Sequence, residues 1–221
     1  MIFMSSDFWS PIKLSLEVAS VSVVFVFLFG IFAARFMARR RFIGKTAVET
    51  LLTLPLVLPP TVVGFLLIVV FGINSPIGRF IEYVFGSPLI FSWWAAVIAA
   101  SVVAFPLMYQ SAKTGFLSID PGSEEAARVD GANEWKVFLY VTLPLSAKTL
   151  ITGLILSFAR ALGEFGATLM FAGNLPGKTQ TAPTAIYVAL ESGNMQTAWL
   201  WVIAMVGISF LMLLSTSLLK Q

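Results

Sequence analysis

Two ionisable residues, Arg160 and Glu164, stand in the middle of a stretch that is otherwise apolar. The stretch runs from Ala147 to about Phe171, and its only other charge is Lys148 at its start. Because the two residues are four positions apart, on a helix they would share a face and could neutralise each other. Either they form a structural ion pair that orders the protein interior, or they line a polar pathway through a membrane, where an ionisable side chain is otherwise costly.

The chain lacks the residues on which most active sites depend. It contains no cysteine and no histidine, which excludes disulfides and thiolate nucleophiles and removes the commonest metal ligand and general base. Two Gly-Lys-Thr tripeptides, at 44–46 and 177–179, lack the glycine that a phosphate-binding loop has five residues earlier, because Arg39 and Ala172 stand there. We therefore predict no catalytic residue, no bound metal or cofactor, and a chain that is not itself an enzyme.

The elements that must position the charged pair are predicted to be membrane-spanning helices. Of the 221 residues, 58% are hydrophobic and 11% are charged, whereas a soluble domain has about 25% charged residues. A helix needs about 20 mostly apolar residues to cross a bilayer. The apolar runs predict an all-α, polytopic bundle that forms a single domain over residues 1–221, with spans at 12–36, 50–71, 92–112, 147–171 and 196–219.

The distribution of lysine and arginine predicts the orientation of these spans, because the cytoplasmic loops carry the excess of basic residues. We therefore expect the N-terminus outside, the C-terminus in the cytoplasm, and no nucleic-acid role for the net charge of +3. The predicted outer side has only Lys13, Arg79 and Lys178. The predicted cytoplasmic side has Arg35, Arg39, Arg40, Arg41, Lys45, Lys113, Arg128, Lys136, Lys148 and Lys220.

Three prolines, Pro55, Pro59 and Pro60, fall within six residues of the second predicted span. Each removes a backbone donor and clashes with the preceding turn, so the helix should break or kink there. The broken segment either lines a pathway or is a cytoplasmic turn before the span proper. Outside, residues 72–91 and 173–181 have the composition of loops, and residues 183–190 are predicted to form a short helix.

The cytoplasmic loop at residues 113–146 predicts two short helices joined by a tight turn. Asp120 or Ser123 can cap the first helix, and Gly131 can adopt the left-handed conformation that ends it. Asn133 can cap the second helix, which Pro144 should stop before the fourth span. We expect one face of this second helix to carry Trp135, Phe138, Leu139 and Thr142.

The spacing in this loop resembles the EAA loop of ABC-importer permeases, in which the loop inserts a coupling helix into a groove of an ATPase subunit. The matching residues are Glu125, Ala126, Ala127, Gly131, Val141, Thr142, Leu143 and Pro144, with Val141 where the pattern usually has isoleucine. By resemblance, the residues expected to couple the chain to the ATPase are Glu125, Ala126, Ala127, Gly131, Leu143 and Pro144.

Three further segments, Leu54–Gly64, Ser157–Thr168 and Gly173–Tyr187, resemble the molybdate permeases of bacteria, to which sulfate and tungstate permeases are close relatives. The resemblance implies a homodimer, two ATPase subunits that hold ATP and magnesium on the cytoplasmic face, and a substrate-binding protein outside. The resemblance and the residue types together give the candidates for a pathway or gate: Pro55, Pro59, Pro60, Arg160, Glu164 and Gly166.

Three alternatives remain at the level of sequence. The same machine could carry sulfate or tungstate, and no residue distinguishes these oxyanions. A membrane-embedded enzyme, such as an intramembrane protease or acyltransferase, would need a serine–lysine dyad, yet no predicted span carries a lysine in its interior. A passive channel would not need an EAA-type loop.

Overall fold

The computed structural model describes residues 6–218 of the chain, and within this range the protein consists of helices and connecting turns without a strand. The all-α prediction is therefore confirmed for the described residues. Lys220, which contributed to the predicted orientation, and the last residue of the predicted span at 196–219 lie outside them. The helices are α1 Ser6–Arg39, α2 Lys45–Thr53, α3 Pro60–Phe71, α4 Pro76–Phe85, α5 Trp93–Leu117, α6 Pro121–Val129, α7 Glu134–Val137, α8 Leu143–Leu145, α9 Ala147–Leu162, α10 Gly166–Phe171, α11 Ala182–Glu191 and α12 Met195–Leu218.

Three of the described helices, α1, α5 and α12, are long and apolar enough to cross a membrane unaided. Two further candidates are bent pairs: residues 45–56 with α3, bent by 114°, and residues 134–145 with α9, bent by 73°. The described part of the chain therefore has three to five candidate spans. The predicted span boundaries stay a prediction, because length and composition alone decide these candidates.

Helix α5 lies at the centre of the bundle, where it packs against both α1 and α9. Of its most apolar stretch, 61% is buried, compared with 6% for α12, which lies at the periphery. Small residues let the helices approach closely: a Cβ atom added to Gly30 of α1 would lie 2.8 Å from Met108 Cγ, and one added to Gly153 of α9 would lie 2.6 Å from Ser111 Cβ. The hydroxyl of Ser22 also donates a hydrogen bond of 2.9 Å to the Val97 carbonyl.

The segment at residues 72–91 is not simply a loop, because it contains helix α4. Ser75 caps the start of this helix by accepting a 2.8 Å hydrogen bond from the Gly78 N–H, and Pro76 stands at the first helical position, where its missing donor is not needed. Gly86 ends the helix with φ of 70°. The prolines and glycines that suggested a loop therefore mark the two ends of a helix. The predicted short helix at 183–190 is confirmed as α11.

Candidate functional site

The first half of the loop at 113–146 folds as predicted from its local signals. Helix α6 begins after Asp120 with Pro121 at its first position, although the Asp120 side chain makes no capping hydrogen bond. Gly131 has φ of 86°, the left-handed conformation expected at the end of this helix. Asn133 then caps α7, because its Oδ1 atom accepts a 2.9 Å hydrogen bond from the Lys136 N–H.

The second half of the loop departs from a regular helix, although the helical run ends at Leu145, directly after Pro144 and before α9, as predicted. Residues Phe138–Thr142 form a π-helical turn that leads into α8 at Leu143. Such a turn closes on the carbonyl five residues back, here from the Leu143 N–H to the Phe138 carbonyl. We attribute the tolerance of Pro144 to this wider turn, since a proline in a regular helix clashes with the carbonyl four residues before it.

The face that was predicted to be common to the second helix is only partly present. Phe138 and Thr142 are buried, but Trp135 and Leu139 are exposed. The residue that replaces them inside is Val137, which is fully buried. Trp135 and Val137 precede the π-helical turn at 138–142, so the turn does not account for their positions.

Glu124 anchors α6 to the rest of the protein, a role that the residues next to it in the chain do not indicate. Its side chain is fully buried, whereas that of the adjacent Glu125 is exposed. Arg39 at the end of α1 donates a hydrogen bond to Glu124 Oε2, and the Thr142 hydroxyl donates one of 2.8 Å to Oε1. Arg128 contributes a weaker contact of 3.4 Å. This buried carboxylate therefore connects α6, α1 and the π-helical turn, a group we call the Glu124 clamp.

The outer surface of α6 is left open by this arrangement. Glu125, Ala126 and Val129 are exposed, and the side chain of Val129 is 87% accessible. A Cβ atom added at Gly131 would meet no atom within 4 Å. The predicted coupling residues at 125–131 thus form a solvent-facing surface of α6, whose opposite face is anchored by Glu124. Leu143 and Pro144 lie separately in α8.

A second ion pair lies at the edge of this loop. Arg128 Nε donates a 2.6 Å hydrogen bond to Glu134 Oε1, and Arg35 Nη2 lies 3.5 Å from Oε2. The hydrogen bond from Arg128 lowers the pKa of Glu134 below its ordinary value of 4.5, and the same bond raises the pKa of Arg128. Both side chains face solvent, so the pair sets the geometry of the loop more than its stability.

The three prolines break the second predicted span, as expected. Pro55 lies in a 3-10 turn at Leu54–Leu56, Pro59 precedes α3, and Pro60 is its first residue. Helix α2 before the break carries Glu49, whose carboxylate lies 2.7 Å from the Lys113 ammonium at the end of α5. Helix α3 after the break has 12 residues and is therefore only about 18 Å long.

The charged pair at Arg160 and Glu164 also lies at a break, so the assumption that both share one helix face is wrong. Helix α9 ends at Leu162, and Glu164 follows it in the connection to α10. Glu164 Oε2 accepts a 2.7 Å hydrogen bond from Arg160 Nη1, and Oε1 accepts one of 2.8 Å from the Ala167 N–H. Glu164 is buried, while 30% of the Arg160 side chain remains accessible.

The two breaks meet, and glycine makes the contact possible. A Cβ atom added to Gly166 would lie 3.1 Å from Pro60 Cβ, and one added to Gly64 would lie 2.7 Å from Met170 Cβ. Helix α10 therefore packs directly on α3, with the proline break beside the charged one. Interrupted helices within a membrane are tolerated where they are buried in protein or line a cavity, and they are typical of substrate pathways in transporters.

The fold defines the class of the protein: within residues 6–218 it is a helical bundle with three to five candidate membrane spans and an exposed short helix, α6. Residues 27–221 match the family model described as binding-protein-dependent transport system inner membrane component. The chain belongs to this family.

Individual relatives agree with this assignment. This chain is 63% identical to YvgM, a transport system permease protein of Bacillus subtilis. The match extends over 209 residues, which are 95% of this chain and 92% of YvgM. It is 46% identical over 184 residues to the molybdenum transport system permease protein ModB of Escherichia coli, covering 83% of this chain and 80% of ModB. The sulfate transport system permease protein CysW of Synechococcus elongatus is 33% identical over 209 residues, 95% of this chain and 73% of CysW.

A solved structure supports the fold. The bacterial alginate ABC transporter, solved in complex with an alginate pentasaccharide-bound periplasmic protein, matches with a TM-score of 0.77 at 20% identity. The match covers 97% of this chain and 78% of the chain in that structure.

Proposed function

We propose that this chain is the permease subunit of an ABC importer that carries molybdate across the cell membrane. The substrate assignment rests on one observation: the chain is 46% identical to ModB, which is named for molybdenum transport, and 33% identical to CysW, which is named for sulfate. Tungstate is chemically close to molybdate, so it remains the competing cargo that the experiment below must separate.

The loop at 113–146 supports the way in which transport would be powered. We propose that α6 docks on a cytoplasmic ATPase subunit through Glu125, Ala126, Ala127 and Gly131, with Leu143 and Pro144 stiffening the connection to α9. Because the Glu124 clamp ties α6 to α1, movement of the ATPase would reach two helices of the bundle together. ATP and magnesium would be held by the ATPase, and this chain would carry no cofactor of its own.

The broken segments support the position of the pathway. An anion crossing a bilayer needs polar contacts, and Arg160 is a cation at the break between α9 and α10 whose guanidinium group is partly accessible. Glu164 would neutralise it between transport cycles, so that a dianion is not held too tightly. The adjacent prolines Pro55, Pro59 and Pro60, together with Gly166, would let α3 and α10 shift as a unit that gates the pathway.

The assembly proposed around this chain contains a second copy of it, two ATPase subunits in the cytoplasm and a substrate-binding protein outside. The basic residues of three separate segments converge: Arg35 and Arg39 of α1, Lys113 of α5 and Arg128 of α6 all pair with carboxylates near the loop. This convergence supports an orientation with the loop and the C-terminus in the cytoplasm and the N-terminus outside.

The test is reconstitution of the permease with its ATPase and binding protein in proteoliposomes. We expect ATP-dependent uptake of radiolabelled molybdate that excess sulfate does not inhibit, and co-purification of the ATPase with two copies of the permease. Selective uptake of sulfate or tungstate over molybdate would overturn the proposed substrate but not the proposed role as an ABC-importer permease. Purification of a transport-active protein that binds no ATPase would overturn the machine itself.

A further inference from the structure

A cleft of about 640 Å³ opens between the cytoplasmic end of α1 and the loop that follows α6. Four arginines line it, Arg35, Arg39 and Arg40 from α1 and the following turn, and Arg128 from α6, together with the single carboxylate of Glu134. Four guanidinium groups around one cleft create a site for an anion with several oxygen atoms, because arginine matches phosphate in geometry as well as in charge.

The carboxylates near the cleft do not neutralise it. Glu134 accepts hydrogen bonds from Arg128 and Arg35, and the buried Glu124 pairs with Arg39. Two of the four positive charges are therefore uncompensated. The guanidinium of Arg40 lies 4.4 Å from the centroid of the Phe36 ring, and within residues 6–218 no carboxylate pairs with it.

The apolar part of the cleft continues along an exposed side of α1. Phe32 and Phe36 line the cleft, and Phe25, Phe29, Phe32 and Phe36 are all at least 40% exposed. These positions follow the spacing of one helix face. A stripe of exposed phenylalanines that ends in a cluster of arginines is complementary to an anionic lipid. The phenylalanines would contact the acyl chains, and the arginines would contact the headgroup.

We propose that this cleft binds an anionic glycerophospholipid from the cytoplasmic leaflet. Its phosphate would lie between Arg35, Arg40 and Arg128, and an acyl chain would follow Phe32 and Phe36. Basic pockets on the cytoplasmic side of membrane proteins bind such headgroups. The lipid would join α1 to the coupling loop next to the Glu124 clamp, so that coupling depends on the lipid. The inference uses the orientation given under the proposed function but does not depend on which substrate is carried.

The phenylalanine stripe favours a lipid over other anions. A free phosphate would use the arginines alone and gain nothing from the exposed side of α1. A soluble protein that reached the arginines could not follow the stripe into the hydrocarbon region of the bilayer. The two sources of the same phosphate chemistry, a lipid headgroup and the free ion, can therefore be separated by experiment.

The test is native mass spectrometry of the intact permease–ATPase complex, released from nanodiscs that contain phosphatidylglycerol and phosphatidylcholine. We expect retained phosphatidylglycerol and little phosphatidylcholine. A basic residue near an anionic membrane contributes about fivefold in affinity, so Arg40→Gln should reduce retention roughly fivefold and the double variant Arg35→Gln/Arg40→Gln further. Both variants avoid Arg39, which is needed for the Glu124 clamp.

Arg41→Gln is the matched control, because it removes the same charge from the next residue, which does not line the cleft. It should retain phosphatidylglycerol as the unaltered protein does. Equal losses for Arg40→Gln and Arg41→Gln, or equal retention of both lipids, would overturn the proposal. Displacement of the bound lipid by inorganic phosphate would reassign the cleft to a free anion. Retention of the lipid by the permease purified alone, but not by the permease–ATPase complex, would reassign it to the subunit interface. None of these measurements depends on molybdate uptake.

Discussion

Glu124 and Glu125 are adjacent glutamates with opposite environments. Replacing each of them with glutamine distinguishes a contribution to the stability of the permease from a contribution to binding of the ATPase subunit. Glu124 is fully buried and accepts hydrogen bonds from Arg39 and Thr142, whereas Glu125 faces solvent. Removing one partner of a buried ion pair costs about 3–5 kcal/mol. Because 34% of the Arg39 side chain is accessible, water would compensate part of this loss, and we expect Glu124→Ala to lie near the lower end.

Glutamine at position 124 keeps the size of the side chain and can still accept the hydrogen bond from Thr142, but it loses the charge that attracts Arg39. A hydrogen bond to a charged group contributes about 1.5–3 kcal/mol, so Glu124→Gln should lose roughly half of what Glu124→Ala loses. For a chain of this size, each kcal/mol corresponds to a decrease in Tm of roughly 2–4 °C. Thermal unfolding of the purified permease in a single detergent measures this difference.

Glu125→Gln is the control, since a substitution at an exposed position usually changes stability by less than about 0.5 kcal/mol. We expect this variant to unfold like the unaltered protein but to bind the ATPase subunit more weakly. A double-mutant cycle with Arg39→Gln should give less than the sum of the two single effects, as for residues in contact. If Glu124→Ala were as stable as Glu125→Gln, or if the cycle were additive, the Glu124 clamp would be refuted.

Four further predictions test other parts of the structure. Gly64→Ala should destabilise the permease by about 1–3 kcal/mol through overpacking, whereas Gly207→Ala, which has open space around it, should be neutral or stabilising by thermal unfolding. Gly131→Ala should cost about 1–2 kcal/mol because its φ is 86°, and co-purification should then recover less ATPase. Glu164→Gln should leave the arginine beside it without a counter-charge and slow molybdate turnover about tenfold, and unchanged uptake at unchanged assembly would contradict a pathway role. The carboxyl of Glu134, measured by carbon NMR, should titrate below 4.5, so its ion pair persists at neutral pH and is lost only as the pH falls through that lowered pKa.

The parts of the loop that could be predicted from sequence are those decided by neighbouring residues. Gly131 and Asn133 act through the backbone next to them, so turn chemistry alone predicted their conformations. The π-helical turn that precedes Pro144 could not be predicted in this way, because residues 138–142 include no glycine or proline that would mark it. The role of Glu124 was equally hidden, since its partner Arg39 is 85 residues away in the chain.

The charged pair illustrates a different limit of prediction from sequence. Arg160 and Glu164 do bind each other, as their spacing suggested, but the spacing assumed a helix that in fact ends at Leu162. The carboxylate is free to accept the Ala167 N–H because it lies in the gap between two helices. Apart from the glycines at 163 and 166, nothing in the residue pattern of 147–171 indicates such a gap.

Two connections join the loop at 113–146 to the helical bundle, and together they determine which helices would move if α6 were displaced. One runs through the Glu124 clamp to α1, and the other runs along the chain from the π-helical turn into α9. Both α1 and α9 pack on α5, so these three helices would respond as one body. Helices α3 and α10 also contact α5, but each follows a break in the chain, at Pro60 and at Glu164, and they pack on each other through glycines. We infer that the relative motion in transport occurs at these breaks, which is where the one buried carboxylate and the partly accessible arginine of the interrupted span are found.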